Sequence, residues 1–202
     1  NAGGGLTGSE LLPDLRQEPP AQVAIRRSPR GAPLLVFRSA VGNAGAGPLV
    51  LNGRRSRGQR QMTVTQELRR PDGSVTQVPI AGRFSYEPRG HDHWHLRHFD
   101  RFDLRDPVTG ARVAMSQKVG FCLGGRYRMS PGVPGTPDMP AINTNCGRYL
   151  PGLMRMRMGI DVGYADDYAA YLEFQYIDIT RVRPGRYVVV HHADPQARLA
   201  VG

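Results

Sequence analysis

Apolar positions along this chain come in short clusters closed off by turn residues, and they never settle for long into the three-and-four spacing of an amphipathic helix. Leu34 to Phe37, Leu49 to Leu51 and Met62 to Leu68 are such runs and read as strands. Pro71-Asp72-Gly73-Ser74 links the third run to Val75 to Ile80, a turn sequence that predicts a hairpin. A second hairpin is predicted through Asp106-Pro107-Val108-Thr109-Gly110, with His91 to Leu104 and Arg112 to Leu123 as its arms. A third joins Leu172 to Val182 and Arg186 to His192 across Arg183-Pro184-Gly185. Asp166 to Tyr171 is expected to hold a helical turn. Between Gly124 and Met158 no period persists, which predicts a long excursion of the kind that often carries function. The predicted fold class is all-β, an antiparallel β-sandwich with long irregular loops.

Composition sharpens this picture. The 25 glycines and 17 prolines exclude an all-helical bundle. Residues 1–22, with Gly3-Gly4-Gly5 and Pro19-Pro20, read as an extended N-terminal lead-in, and residues 23–202 as one domain. No apolar run approaches the roughly 18 to 20 residues of a membrane span, so a soluble chain without one is expected. Cys122 and Cys146, 24 residues apart, lack metal-knuckle spacing and predict a single disulfide. That points to a secreted or extracytoplasmic location.

Charge adds a sharper clue. The formal charge is +10, and the 27 basic residues comprise 26 arginines and one lysine, Lys118. Arginine replaces lysine harmlessly on a solvated face, but not where an amine must lose its proton and react. Arg54, Arg55, Arg57 and Arg60 form a basic cluster that reads as a solvated basic face, with binding of an anionic polymer as the alternative. Aromatic residues for base stacking do not interleave with it, so nucleic acid is not expected as a partner.

The strongest local motif is His91-Asp92-His93-Trp94-His95. Alternation along a strand puts three imidazoles on one face, a donor set suited to copper or zinc. A straight strand would hold the Cα atoms of His91 and His95 about 13 Å apart, so a bend or bulge is required. His98 is out of phase and reads as a surface or supporting residue.

These residues resemble the lysyl oxidase family. His91-Asp92-His93-Trp94-His95 is similar to its copper strand, and Phe102-Asp103-Leu104 follows where the family continues that strand. Lys118-Val119-Gly120-Phe121-Cys122-Leu123 resembles the segment of its cofactor lysine. Tyr168, seven residues before Gln175-Tyr176-Ile177-Asp178-Ile179-Thr180, stands where the family places the partner tyrosine. The resemblance implies a copper amine oxidase whose lysine tyrosylquinone is made from Lys118 and Tyr168, with copper on His91, His93 and His95. Residues 23–202 would be its catalytic domain. Primary amines, peptidyl lysine side chains or small molecules, would become aldehydes, with dioxygen reduced to hydrogen peroxide and ammonia released. Asp166 and Asp167 are the candidate general bases; as adjacent aspartates before a helical turn they also fit a capping role. Asp161, Asp166, Asp167 and Glu173 would make the mouth acidic. Three alternatives stay open: a topaquinone enzyme, which would want an Asn-Tyr pair absent here; a Cys-Tyr radical site using Cys122; and a noncatalytic secreted metal-binding sandwich.

Overall fold

The computed structural model of the chain describes residues 8–88, 90–142 and 144–202, and every regular element among these is a β-strand. Gly3-Gly4-Gly5 lies outside the described residues. In chain order the strands are β1 (Leu15–Gln17), β2 (Ala21–Arg27), β3 (Pro33–Asn43), β4 (Leu49–Arg54), β5 (Gln61–Arg69), β6 (Val75–Glu87), β7 (His93–Arg97), β8 (Asp100–Arg105), β9 (Arg112–Met115), β10 (Gly120–Phe121), β11 (Tyr127–Arg128), β12 (Arg155–Ile160), β13 (Tyr164–Tyr168), β14 (Tyr176–Asp178) and β15 (Val188–Ala193). All pairings are antiparallel.

One sheet runs β10-β7-β6-β5-β4-β12, and a second runs β1-β3-β13-β11, with β2 and β14 also on β3. Period-2 alternation along β5 buries Met62, Val64, Gln66 and Leu68 and leaves the intervening residues more open. Leu51, Met62, Phe84, Leu96 and Met158 from the first sheet share a core with Val41, Tyr164 and Tyr168 from the second, which makes a sandwich. The remaining sheet, β15-β8-β9, closes a smaller core of Phe37, Phe102, Leu104 and Ile177. The Pro71–Ser74 hairpin forms as the sequence predicts, with Gly73 at φ 81° and Asp72 Oδ1 accepting from Ser74 N at 2.8 Å.

Other expectations require correction. His91 to Leu104 is not one arm: β7 lies in the six-stranded sheet and β8 in the three-stranded one, with the break at His98, φ 57°. The two predicted arms do pair, β8 with β9 and β7 with β10, but in two stretches whose registers differ by one residue. The hairpin across Arg183-Pro184-Gly185 does not form, because β14 pairs with β3 and β15 with β8. No helical turn starts at Asp166, which with Asp167 and Tyr168 belongs to β13, so neither aspartate caps a helix. Leu15–Gln17 pairs with Gln17 opposite Val41, tying part of the N-terminal segment to the body.

The long excursion is interrupted by β11 and is anchored to the strand of histidines. Cys122 and Cys146 form a disulfide. Trp94 N donates to Cys146 O at 2.8 Å, and Tyr149 N to Asp92 O at 2.6 Å. Closing a loop of this length restricts the unfolded chain by about 3 kcal/mol. Cys146→Ser is therefore expected to lower unfolding stability by about that amount, read as a fall in the urea midpoint. Thiol counting on unfolded, unreduced wild type should find none.

Candidate active site

β7 begins only at His93, and Asp92 before it is at φ 51°. That local reversal supplies the bend the motif requires, since one ligand atom from each of His91, His93 and His95 lies within 4.8 Å of the others. His93 Nδ1 is hydrogen-bonded to the His91 carbonyl, which makes Nδ1 the protonated nitrogen and leaves Nε2 free as a donor atom. That Nε2 lies 2.7 Å from His95 Nε2. Burial, followed by the charges of His93 and His91, pushes His95 down to about 3, and burial lowers His93 as well. His93 and His95 are therefore neutral at neutral pH. Three convergent imidazoles, with the His93 tautomer fixed, fit a borderline metal such as copper or zinc.

Between these histidines, Trp94 points to the opposite face and is buried. Its Nε1 donates to Leu150 O at 3.0 Å, and the Arg55 guanidinium lies 4.6 Å above its ring while donating to the carbonyls of Leu153 and Pro151. Arg55 is thereby withdrawn from the basic cluster it forms in sequence with Arg54, Arg57 and Arg60. Gly120 pairs with Arg97 beside the site, where a Cβ would collide with the His95 ring. His98 is exposed.

Lys118 is buried, 7% exposed, and its Nζ lies 5.2 Å from the ring centroids of both Phe121 and Tyr168. Burial pulls its amine down to about 8, opposed by the carboxylates of Asp100, Asp166 and Glu173. Tyr168 ends β13 and donates its hydroxyl to Asp166 Oδ2 at 2.6 Å. Asp166 is two residues back on the same strand face; burial raises it to about 7 against the Arg126 guanidinium, whose Nε is 3.0 Å from Oδ1. Burial and the Asp166 carboxyl push the Tyr168 phenol well above its ordinary value, so it stays a donor. Asp167 faces the other way and pairs with Arg38 at 3.0 Å.

The three histidines, Lys118 and Tyr168 line one cavity of about 400 Å³. The acidic mouth needs correction. Asp167 lines the cavity, and Glu173 Oε2 contacts His91 Nε2 at 2.7 Å, but Asp166 is sealed inside. Asp161 accepts from Ile142 N elsewhere, while Arg126 and Arg148 line the same cavity. Sequence reasoning missed Arg126 and Asp100. Arg126 carried no signal among so many arginines, whereas an aspartate between Phe99 and Phe102 could have been noticed.

Comparison with known proteins adds a relationship to this geometry. The family model described as Lysyl oxidase matches residues 71–201. Human lysyl oxidase homolog 1 is 31% identical over 126 residues, covering 61% of this chain and 19% of the relative. Rat protein-lysine 6-oxidase is 30% identical over 131 residues, covering 61% of this chain and 27% of the relative, and the pig protein of that name is 30% identical over 131 residues, 61% and 44%. The matched region thus spans less than half the length of each of these relatives.

Proposed function

The chain belongs to the lysyl oxidase family, and from that premise we propose that it is a copper-dependent oxidase of primary amines, either peptidyl lysine or small amines. The products are the aldehyde, hydrogen peroxide and ammonia. One observation carries this reading: the chain's single lysine is buried with Nζ 5.2 Å from the Tyr168 ring, in the same cavity as three converging imidazoles. Copper with dioxygen supplies the oxidising power that converts Tyr168 and Lys118 into a lysine tyrosylquinone, whose carbonyl chemistry then serves amine oxidation.

The chain's own residues do the rest. His91, His93 and His95 would hold the metal through ring nitrogens, and burial keeps those of His93 and His95 unprotonated. Lys118 keeps a reactive neutral fraction because burial weakens its hold on its proton. Asp166, raised to about 7 and hydrogen-bonded to the Tyr168 hydroxyl behind the cavity, would accept the α-proton of an amine once the cofactor had made that proton acidic, and Arg126 keeps its carboxylate form within reach of neutral pH. Cys122–Cys146 pins the loop over the histidine strand and, with the family relationship, supports an extracytoplasmic location.

The test is intact mass and redox-cycling stain of copper-loaded chain, together with peroxide release on adding a primary amine. A chain that binds copper but gains neither cross-link nor stain would instead be a metal-binding sandwich. His93→Ala is expected to reduce copper affinity at least about a hundredfold, because it removes one of the convergent donors. Equilibrium competition with a chelator measures it; unchanged stoichiometry and affinity would overturn the ligand assignment.

A further inference from the structure

Lys118 sits at a seam between two strand registers. β8 and β9 pair Asp103 with Met115 and Leu104 with Ala114, and Ser116 N donates to Phe102 O. Two residues farther along that register, Lys118 falls across from Asp100. β7 and β10 pair Arg97 with Gly120, and His98 N donates to Val119 O, which is one residue out of step. His98, in the left-handed region at φ 57°, absorbs the step. Extended past Ser116, the β8–β9 register would bring the chain's single lysine toward the first residue of β8, whose charge Lys118 senses.

Asp100 is closed off from solvent, 2% exposed, and neither carboxylate oxygen has a well-aligned hydrogen-bond donor. His191 of β15 backs it, with Nε2 3.2 Å from Asp100 Oδ2 and its own ring stacked 4.5 Å from Phe102. A buried carboxylate without a compensating cation is strongly unfavourable, and so is a buried ammonium without an anion. Asp100 is also the leading carboxylate that helps Lys118 keep its proton. Burial works against the Asp100 carboxylate, His191 is its contact partner, and its charge reaches Lys118 across the seam without a direct ion pair.

We propose that Asp100, braced by His191, is the positioning residue for Lys118: its carboxylate is the counter-charge that holds the Lys118 side chain over the Tyr168 ring before the two are joined. The functional role rests on the Lys118–Tyr168 reading above, while the pairing itself belongs to the copper-free chain. It accounts for a buried site that keeps an amine at the end of a flexible stem and steers it by charge toward one ring.

A single lysine makes the test clean. Copper-free chain labelled with carbon-13 at lysine Cε gives one ε-methylene NMR signal. Two aromatic rings, each centred 5.2 Å from Nζ, should move it upfield of free lysine. In Asp100→Asn that displacement is expected to fall by at least half while copper uptake and melting behaviour persist, and Asp100→Glu should retain it. An undiminished displacement in Asp100→Asn, or a wild-type signal already at the free-lysine position, would overturn the proposal. If Asp100→Asn does not fold, the same change on a Lys118→Met background decides: recovery of folding supports the pair, because no lone charge remains buried, and continued unfolding overturns it. Failure of the quinone reading shows separately, as wild-type chain whose mass is unchanged by copper and air.

Discussion

Replacing Lys118 by arginine is expected to leave the fold and copper stoichiometry intact while cutting amine-dependent peroxide release at least about a thousandfold, the scale of losing a covalent cofactor. Proton affinity decides the outcome. With Lys118 at about 8, roughly a tenth of the side chain is neutral at pH 7 and available to bond an oxidised tyrosine ring. A guanidinium, with a pKa above about 12, offers less than about one part in 10⁵. Charge is conserved in this change, so Asp100 keeps a cation opposite it and the histidines keep their neighbours. Wild type and variant should be loaded with copper identically, then compared for redox stain, intact mass and peroxide release with a primary amine. Wild-type turnover by the arginine variant would remove Lys118 from the mechanism.

Where local chemistry decided the fold, the sequence was readable. Pro71-Asp72-Gly73-Ser74 forms its hairpin because Gly73 takes positive φ and Asp72 bonds the turn's own backbone. Arg183-Pro184-Gly185 carries equally good turn residues, yet β14 and β15 find partners in β3 and β8. A turn sequence reverses the chain without choosing which remote strand pairs with the arms; burial of Ile177 against Phe37 and Phe102 makes that choice here. The break after β7 was hidden for a related reason. His98 takes a positive φ with no glycine or asparagine to announce it, because two sheets pull the chain into registers one residue apart.

The site divides along the same line. The histidine alternation and the single lysine were legible because residue type alone restricts their chemistry. Their convergence was not, since it depends on the reversal at Asp92 and on a disulfide-anchored loop that bonds Trp94 and Asp92 through the backbone of Cys146 and Tyr149. Asp166 and Asp167 looked equivalent in sequence, and only strand parity separates them: Asp166 bonds the Tyr168 hydroxyl, and Asp167 bonds Arg38. Arg126, one of 26 arginines, becomes distinctive only once it is found against a sealed carboxylate.

That separation yields an expected pH profile. A general base works as the carboxylate, so if Asp166 serves, the amine-oxidation rate should rise with pH through a midpoint near its raised value of about 7. Asp166→Asn should lose roughly a hundredfold or more in kcat and lose this rise, while copper content stays at the wild-type level. Arg126 favours the ionised form by charge and hydrogen bond, against burial that favours the neutral acid. Removing it in Arg126→Gln should therefore move the midpoint to higher pH by about one unit or more, equivalent to about 1.4 kcal/mol of lost interaction. Activity of this variant should recover as the solution is made alkaline, which a variant damaged in folding would not do. Asp167→Asn should leave the midpoint in place, because Asp167 lies on the opposite strand face with Arg38. A midpoint that stays put in Arg126→Gln and moves in Asp167→Asn would transfer the role of base to Asp167.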